Sequence, residues 1–140
     1  MRSISQILRD STTIAIVGMS NKPDRASHEV GAYLQQNGYK VVPVNPSYAG
    51  DTILGEQVFA TLQDAADALA ANGRRIDIVD CFRKSEDIPP IARDAIAVRA
   101  GCLWMQLDIE NQPAADMARA AGLDVVMNHC IKIEHRSLQA

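Results

Sequence analysis

Cysteine is scarce and poorly placed for joint work. Cys81, Cys102 and Cys130 are the three in 140 residues, odd in number and without a C-x-x-C pair, which argues against a disulfide framework or a zinc knuckle and for reduced thiols. Long apolar runs are missing as well: nothing approaches the ~20 residues that a membrane-crossing helix needs. The N-terminal MRSISQILRD carries only a short, interrupted apolar patch, unlike a secretory signal, so a cytoplasmic location is the expectation. There is no basic excess, with 14 Lys and Arg against 17 Asp and Glu and a net charge of −3. Broad nucleic-acid binding needs a basic field to displace counterions from phosphates, so any phosphate-bearing ligand must be small and met by a local cluster. Repeats, low-complexity tracts and linkers are also absent, and residues 1–140 fit one domain able to bury one core.

What is present is a regular alternation. Short β-branched runs (TIAIVG, YKVVPVNP, IDIVDCF, CLWMQL, LDVVM) are separated by segments of helical period. Each run is continuously apolar, as expected of parallel strands covered on both faces. Gly38, Gly73, Gly101 and Gly122 each stand between a helical segment and the next strand, where a helix end favours positive φ. The reading is an α/β class: one doubly wound Rossmann-like domain, a five-stranded parallel sheet ordered 3-2-1-4-5, and helices on both faces. Ligands of such sheets bind outside the carboxyl ends of the strands, so three loops matter: Gly18 to Ser27, Asn45 to Gly55, and Cys81 to Pro90.

The first of these lacks something specific. After TIAIVG, no second and third glycine follow at the spacing that wraps backbone around a dinucleotide pyrophosphate. Ser20, Asn21, Lys22, Asp24, Arg25 and Ser27 stand there instead. A helix beginning near Ser27 offers free N–H groups and a positive dipole end to an anion, and Lys22 and Arg25 add charge. The plainer alternative is that Ser27 or Asp24 caps the helix and the two cations are merely solvated. The third loop adds Phe82, Arg83 and Lys84, with Phe82 either flanking an adenine ring or packed beneath the loop. The second strand ends in Asn45 and Pro46, where a nicotinamide-dinucleotide enzyme usually carries an acid for the ribose hydroxyls.

The tail VVMNHCIKIEH holds His129, Cys130, Glu134 and His135. On an extended chain His129 and Cys130 point to opposite faces, while Lys132 shares the face of Cys130. The histidines lack the i, i+4 spacing of helical metal ligands. A partly buried cysteine among surface histidines, with no metal and no catalytic group, is the expectation.

Taken together, IAIVGMSNKPDRASHEV, VVPVNPSYAGDTILGEQVFATLQD, DIVDCFRKSED and WMQLDIENQPAADMARAAGLDVVMNHCIKIEH resemble the small single-domain CoA-binding proteins, whose fold is similar to the N-terminal domain of the succinyl-CoA synthetase α subunit. The resemblance implies a coenzyme A site in which Gly18, Ser20, Asn21, Lys22, Arg25 and Ser27 surround the phosphates, Asn45, Pro46 and Tyr48 border the nucleotide, and Phe82, Arg83 and Lys84 line the adenosine end. The synthetase's second domain, with its phosphorylated histidine, has no counterpart in this sequence. The expectation is a non-catalytic module that binds CoA or acyl-CoA and either senses CoA, delivers it, or docks with an acyl-CoA enzyme. Against it stand a small NAD(P)-dependent oxidoreductase and a thiol-dependent acyl-transfer enzyme using Cys130 or Cys81.

Overall fold

The computed structural model describes residues 1–139. Ser3 opens the chain's first helix, α1 (Ile4–Asp10), with a capping box: its Oγ accepts the Gln6 N–H at 3.2 Å while Gln6 Oε1 accepts the Ser3 N–H at 2.8 Å. Then follow β1 (Thr13–Val17), α2 (Ala26–Gln36) and β2 (Lys40–Val44). A small antiparallel hairpin comes next, β3 (Thr52–Ile53) with β4 (Glu56–Gln57). The remainder alternates: α3 (Leu62–Ala70), β5 (Ile78–Cys81), α4 (Ile88–Ala97), β6 (Cys102–Met105), α5 (Gln112–Ala120), β7 (Asp124–Val126) and α6 (Ile131–Leu138).

The α/β class, the five-stranded parallel sheet and the helices on both faces are as expected. The strand order is not. It is β2-β1-β5-β6-β7, which for the five main strands is 2-1-3-4-5 rather than 3-2-1-4-5. The reason lies at the outer edge of β2. Pro43 has no N–H to offer a neighbouring strand, and its carbonyl accepts the Phe59 N–H at 3.0 Å, while the Asn45 N–H reaches Phe59 O at 2.9 Å. The returning loop therefore closes that edge, and the next full strand, β5, pairs on the far side of β1. A proline belongs on an edge strand; VVPVNP carried that signal.

Side chains of each strand alternate between two cores. On one face Ala15, Val42, Val79, Leu103 and Val125 meet α3, α4 and α5; on the other Ile14, Ile16, Ile78, Trp104 and Val126 meet α1, α2 and α6. Covering both faces buries all four residues of β5 and of β6. Gly101 departs from its expected role: Arg99 takes the positive φ of 58°, and Gly101 is small because a Cβ there would stand 2.8 Å from Asp77 O. The tail also departs from expectation. Ile131 and His135 are buried one helical turn apart on α6, so IKIEH is helical rather than extended, and Lys132 shares no strand face with Cys130.

Candidate functional site

The strand order across the sheet reverses between β1 and β5, and the loops leaving their carboxyl ends meet at Gly18. Gly18 has φ +86°, and a Cβ on it would lie 2.6 Å from Phe82 O and 2.9 Å from Arg83 Cδ. Only glycine tolerates both the left-handed backbone and that approach. The Gly18 N–H donates to Val44 O and the Phe82 N–H to Val17 O, each at 2.9 Å, so all three loops are tied at one point.

Asn45 ties them a second time. Its Nδ2 donates to Met19 O at 3.0 Å and its Oδ1 accepts the Ser47 N–H at 3.0 Å. Within the first loop, the Ser20 N–H donates to Ser27 Oγ at 2.9 Å, and the Lys22 N–H to Ser20 Oγ at 3.1 Å. Ser27 is buried and thus a brace for the loop. It does not cap α2, and neither does Asp24. Arg25 is the residue at the cap position and makes no side-chain cap bond. The Ala26 and Ser27 N–H groups have no hydrogen-bond partner among the described residues. Ser3, Thr61 and Asn111 cap α1, α3 and α5, whereas α4 and α6, like α2, have no side-chain cap bond among the described residues; of these three starts, that of α2 opens beside Lys22 and Arg25. Lys22 and Arg25 stand at this open end, and neither makes an ion pair among the described residues.

Three adjoining depressions surround this junction. One of about 370 Å³ is lined by Gly18, Ser20, Lys22, Arg25, Ser27, Asn45, Tyr48 and Phe82. A second, about 450 Å³, shares Gly18 and Asn45 with it and adds Pro46 and Arg83. A third, about 380 Å³, shares Phe82 and contains Arg83 and Lys84. Eleven of the twelve sequence-derived site residues thus line the cleft. Asn21 lines none of the three and is exposed. Arg83 is not a free cation either, since its Nη2 lies 3.8 Å from Asp87 Oδ2. Residues that sequence reasoning passed over are Thr61, Glu86, Asp87 and Asp94 in the second depression. SEDIPPIARD displays the three acids close together, but which of them face the cleft depends on how α4 packs.

Beneath the cleft, on β5, Asp80 is fully buried, and burial lifts its carboxyl to about 7. Gln106 Nε2 donates to Asp80 Oδ1, while Asp80 Oδ2 has no partner. Gln106 Oε1 in turn accepts the Ile131 N–H at 3.4 Å, and Trp104 Nε1 donates to His129 O at 2.8 Å, which together fix the start of α6. Cys130 precedes α6 and is half-buried; Cys81 and Cys102 are buried, and burial pushes both thiols up. His129 is a surface residue with Nδ1 3.9 Å from Glu134 Oε1. His135 is not on the surface as expected, being 7% exposed. No cluster of three His, Cys, Asp or Glu residues suited to a metal occurs among the described residues. No described helix is long and apolar enough to cross a membrane.

Residues 12–136 match the CoA binding domain family. The chain is 37% identical over 132 residues to YneT of Bacillus subtilis (strain 168), a protein carried as uncharacterized, covering 94% of this chain and 91% of that one. It is similar to a solved Thermus thermophilus structure, cell-free ID.343, with TM-score 0.88 and 31% identity over 98% of this chain and 99% of that one. A more distant fold neighbour, RSP, was crystallised with β-NADH; at 17% identity and TM-score 0.59, over 96% of this chain and 62% of that one, it shares the fold alone.

Proposed function

The chain belongs to the CoA binding domain family, and from that premise we propose that it binds coenzyme A or an acyl-CoA as a module without catalysis of its own, presenting the ligand to an acyl-CoA enzyme. The observation that carries this reading is the uncapped start of α2. Two unpartnered backbone N–H groups at the positive end of a helix, flanked by Lys22 and Arg25, suit a diphosphate: the dipole and the N–H groups position it, and the side chains neutralise it. Ser20, with its hydroxyl in the same depression, adds a further polar group. Pro46 and Tyr48 would border the nucleotide, and Phe82, Arg83 and Lys84 would line the adenosine end.

The geometry also weighs against a nicotinamide dinucleotide. Asn45 occupies the end of β2, where a carboxylate would accept ribose hydroxyls, and its amide is already committed at both ends to Met19 and Ser47. An acyl-transfer role for Cys81 meets a plain obstacle, since that thiol is fully buried.

Calorimetric titration with CoA, acetyl-CoA, NAD, NADP and ATP tests the proposal. CoA or acetyl-CoA is expected to bind and NAD not to. Lys22→Ala and Arg25→Ala are each expected to weaken CoA binding by about 1–3 kcal/mol, the range for a lost charge-assisted hydrogen bond. NAD binding tighter than CoA, or unchanged CoA affinity in both folded variants, overturns it.

A further inference from the structure

Asp80 is the third residue of β5, the central strand of the sheet. It shares a face with Ile78, the face covered by α1, α2 and α6. In register it pairs with Ile16 on β1 and Trp104 on β6. Two residues further along β1 and β5, roughly 7 Å at the rise of a strand, stand Gly18 and Phe82. Both line the depression at the uncapped start of α2. The buried carboxyl thus belongs to the layer immediately inside the place proposed for a diphosphate.

Its surroundings leave that carboxyl free to respond to charge. Oδ1 accepts from Gln106, Oδ2 has no partner, and Asp80 makes no ion pair among the described residues. The titratable groups on the elements packed against this face are Cys102 on β6, His28 and Tyr33 on α2, and Cys130, Lys132 and His135 on α6. None of them bonds to Asp80. Arg9 and Asp10 of α1 stand at the other, amino-terminal edge of the sheet, where Asp10 faces Arg2. Lys22 and Arg25 are in the cleft itself. Burial holds the Asp80 carboxyl at about 7, where a modest change in the local field alters the fraction ionised.

We propose that CoA binding in the cleft is coupled to proton uptake by Asp80, so that the protein holds its ligand more tightly in mildly acidic than in mildly alkaline surroundings. The inference rests on the CoA reading above. CoA carries a phosphomonoester besides its diphosphate, and so brings more negative charge than Lys22 and Arg25 offset. One uncompensated charge about 10 Å from a buried carboxyl, at an effective dielectric constant of ~20, shifts its protonation equilibrium about tenfold. A nearby anion favours the neutral carboxyl, so the complex keeps the proton to higher pH than the free protein does. Below the free protein's value both forms are protonated and Asp80 does not affect affinity. As pH rises through about 7 the free protein loses the proton, binding has to restore it, and affinity falls.

The test compares the intact chain with Asp80→Asn, whose amide is neutral at every pH, by calorimetric titration with CoA between about pH 6 and pH 9. The phosphomonoester of CoA titrates near the acidic end of this range with both proteins, so the ratio of their affinities isolates Asp80. Parent affinity relative to the variant is expected to fall about tenfold from the acidic to the alkaline end. Near pH 7.5 the parent is expected to take up about half a proton more than the variant on binding, read from the heats in two buffers of different ionisation enthalpy. Should Asp80→Asn not fold, the ¹³Cγ resonance of Asp80 in the parent decides: CoA is expected to raise its titration midpoint by about one pH unit. An affinity ratio that does not change with pH, or a midpoint that CoA leaves in place or lowers, overturns the coupling and leaves the CoA site standing. Absence of CoA binding at every pH overturns the coupling together with the reading on which it rests.

Discussion

Asp80→Asn is a direct probe of the interior beneath the cleft. Burial lifts the Asp80 carboxyl from its ordinary 3.8 to about 7, against the smaller opposing pull of the Gln106 hydrogen bond. A raised folded-state value means that the folded protein holds this proton more tightly than the unfolded chain does. Near the ordinary value and below it both states are protonated and the group costs nothing. Between there and about 7 the folded protein keeps a proton that the unfolded chain has lost, so stability falls as pH rises; above that both are ionised and the full penalty stands. A difference of about 3 pH units corresponds to about 4 kcal/mol. The Asp80→Asn amide removes this penalty, accepts from Gln106 as before, and leaves a buried NH2 with two unpaired N–H donors where Oδ2 now lacks a partner, at a cost of about 1–3 kcal/mol. The variant is therefore expected to exceed the parent by about 1–3 kcal/mol in mildly alkaline buffer, to lose that advantage in mildly acidic buffer, and to show a flatter pH profile between. Urea unfolding followed by Trp104 fluorescence across the range measures it, and other titrating groups cancel in the comparison. A constant deficit at every pH would refute the reasoning, because it would mean that the carboxyl titrates alike in the folded and unfolded chain; a deficit growing with pH would mean that the charged carboxylate has a partner the folded protein depends on.

Gly18→Ala and Gly38→Ala separate backbone strain from collision. Both positions have positive φ, but a Cβ at Gly38 meets nothing within 4 Å whereas at Gly18 it meets Phe82 O at 2.6 Å. Gly38→Ala is expected to cost about 1–2 kcal/mol and Gly18→Ala clearly more, in denaturant unfolding; equal costs would contradict the close approach. The thiols provide another check. Cys130 is expected to react with a soluble disulfide reagent in the native protein, while Cys81 and Cys102 wait for unfolding. Cys130→Ser is expected to retain CoA binding. If Cys130 labels unusually fast and CoA protects it, a thiol-based function replaces the passive module.

Local signals were legible because their causes are local. Short, continuously apolar, β-branched runs suit strands covered on both faces, and five of them separated by helical segments point to a parallel α/β sheet. Gly18, Lys22, Arg25, Asn45 and Phe82 sit at strand ends, and strand ends in such a sheet share one edge whatever the order. Their convergence on one cleft therefore needed little tertiary information. Pro43 also announced an edge strand, a signal at odds with the expected 3-2-1-4-5 order.

What tertiary structure alone decided rests on contacts between distant parts of the chain. IKIEH alternates like a strand, yet it is helical because Trp104 and Gln106, 25 residues earlier, hold His129 O and the Ile131 N–H at its start. Arg83 pairs with Asp87 across the cleft only once α4 begins where it does. His135 is buried because α1, α2 and α6 close around it, and no periodicity within the tail shows that two tyrosines more than 90 residues away will pack against its ring. The sequence by itself determined which residues could stand at the carboxyl edge of the sheet. Which of them are free to act there, and which are spent as braces such as Ser27 and Asn45, was settled only when the loops met and their hydrogen bonds were shared out.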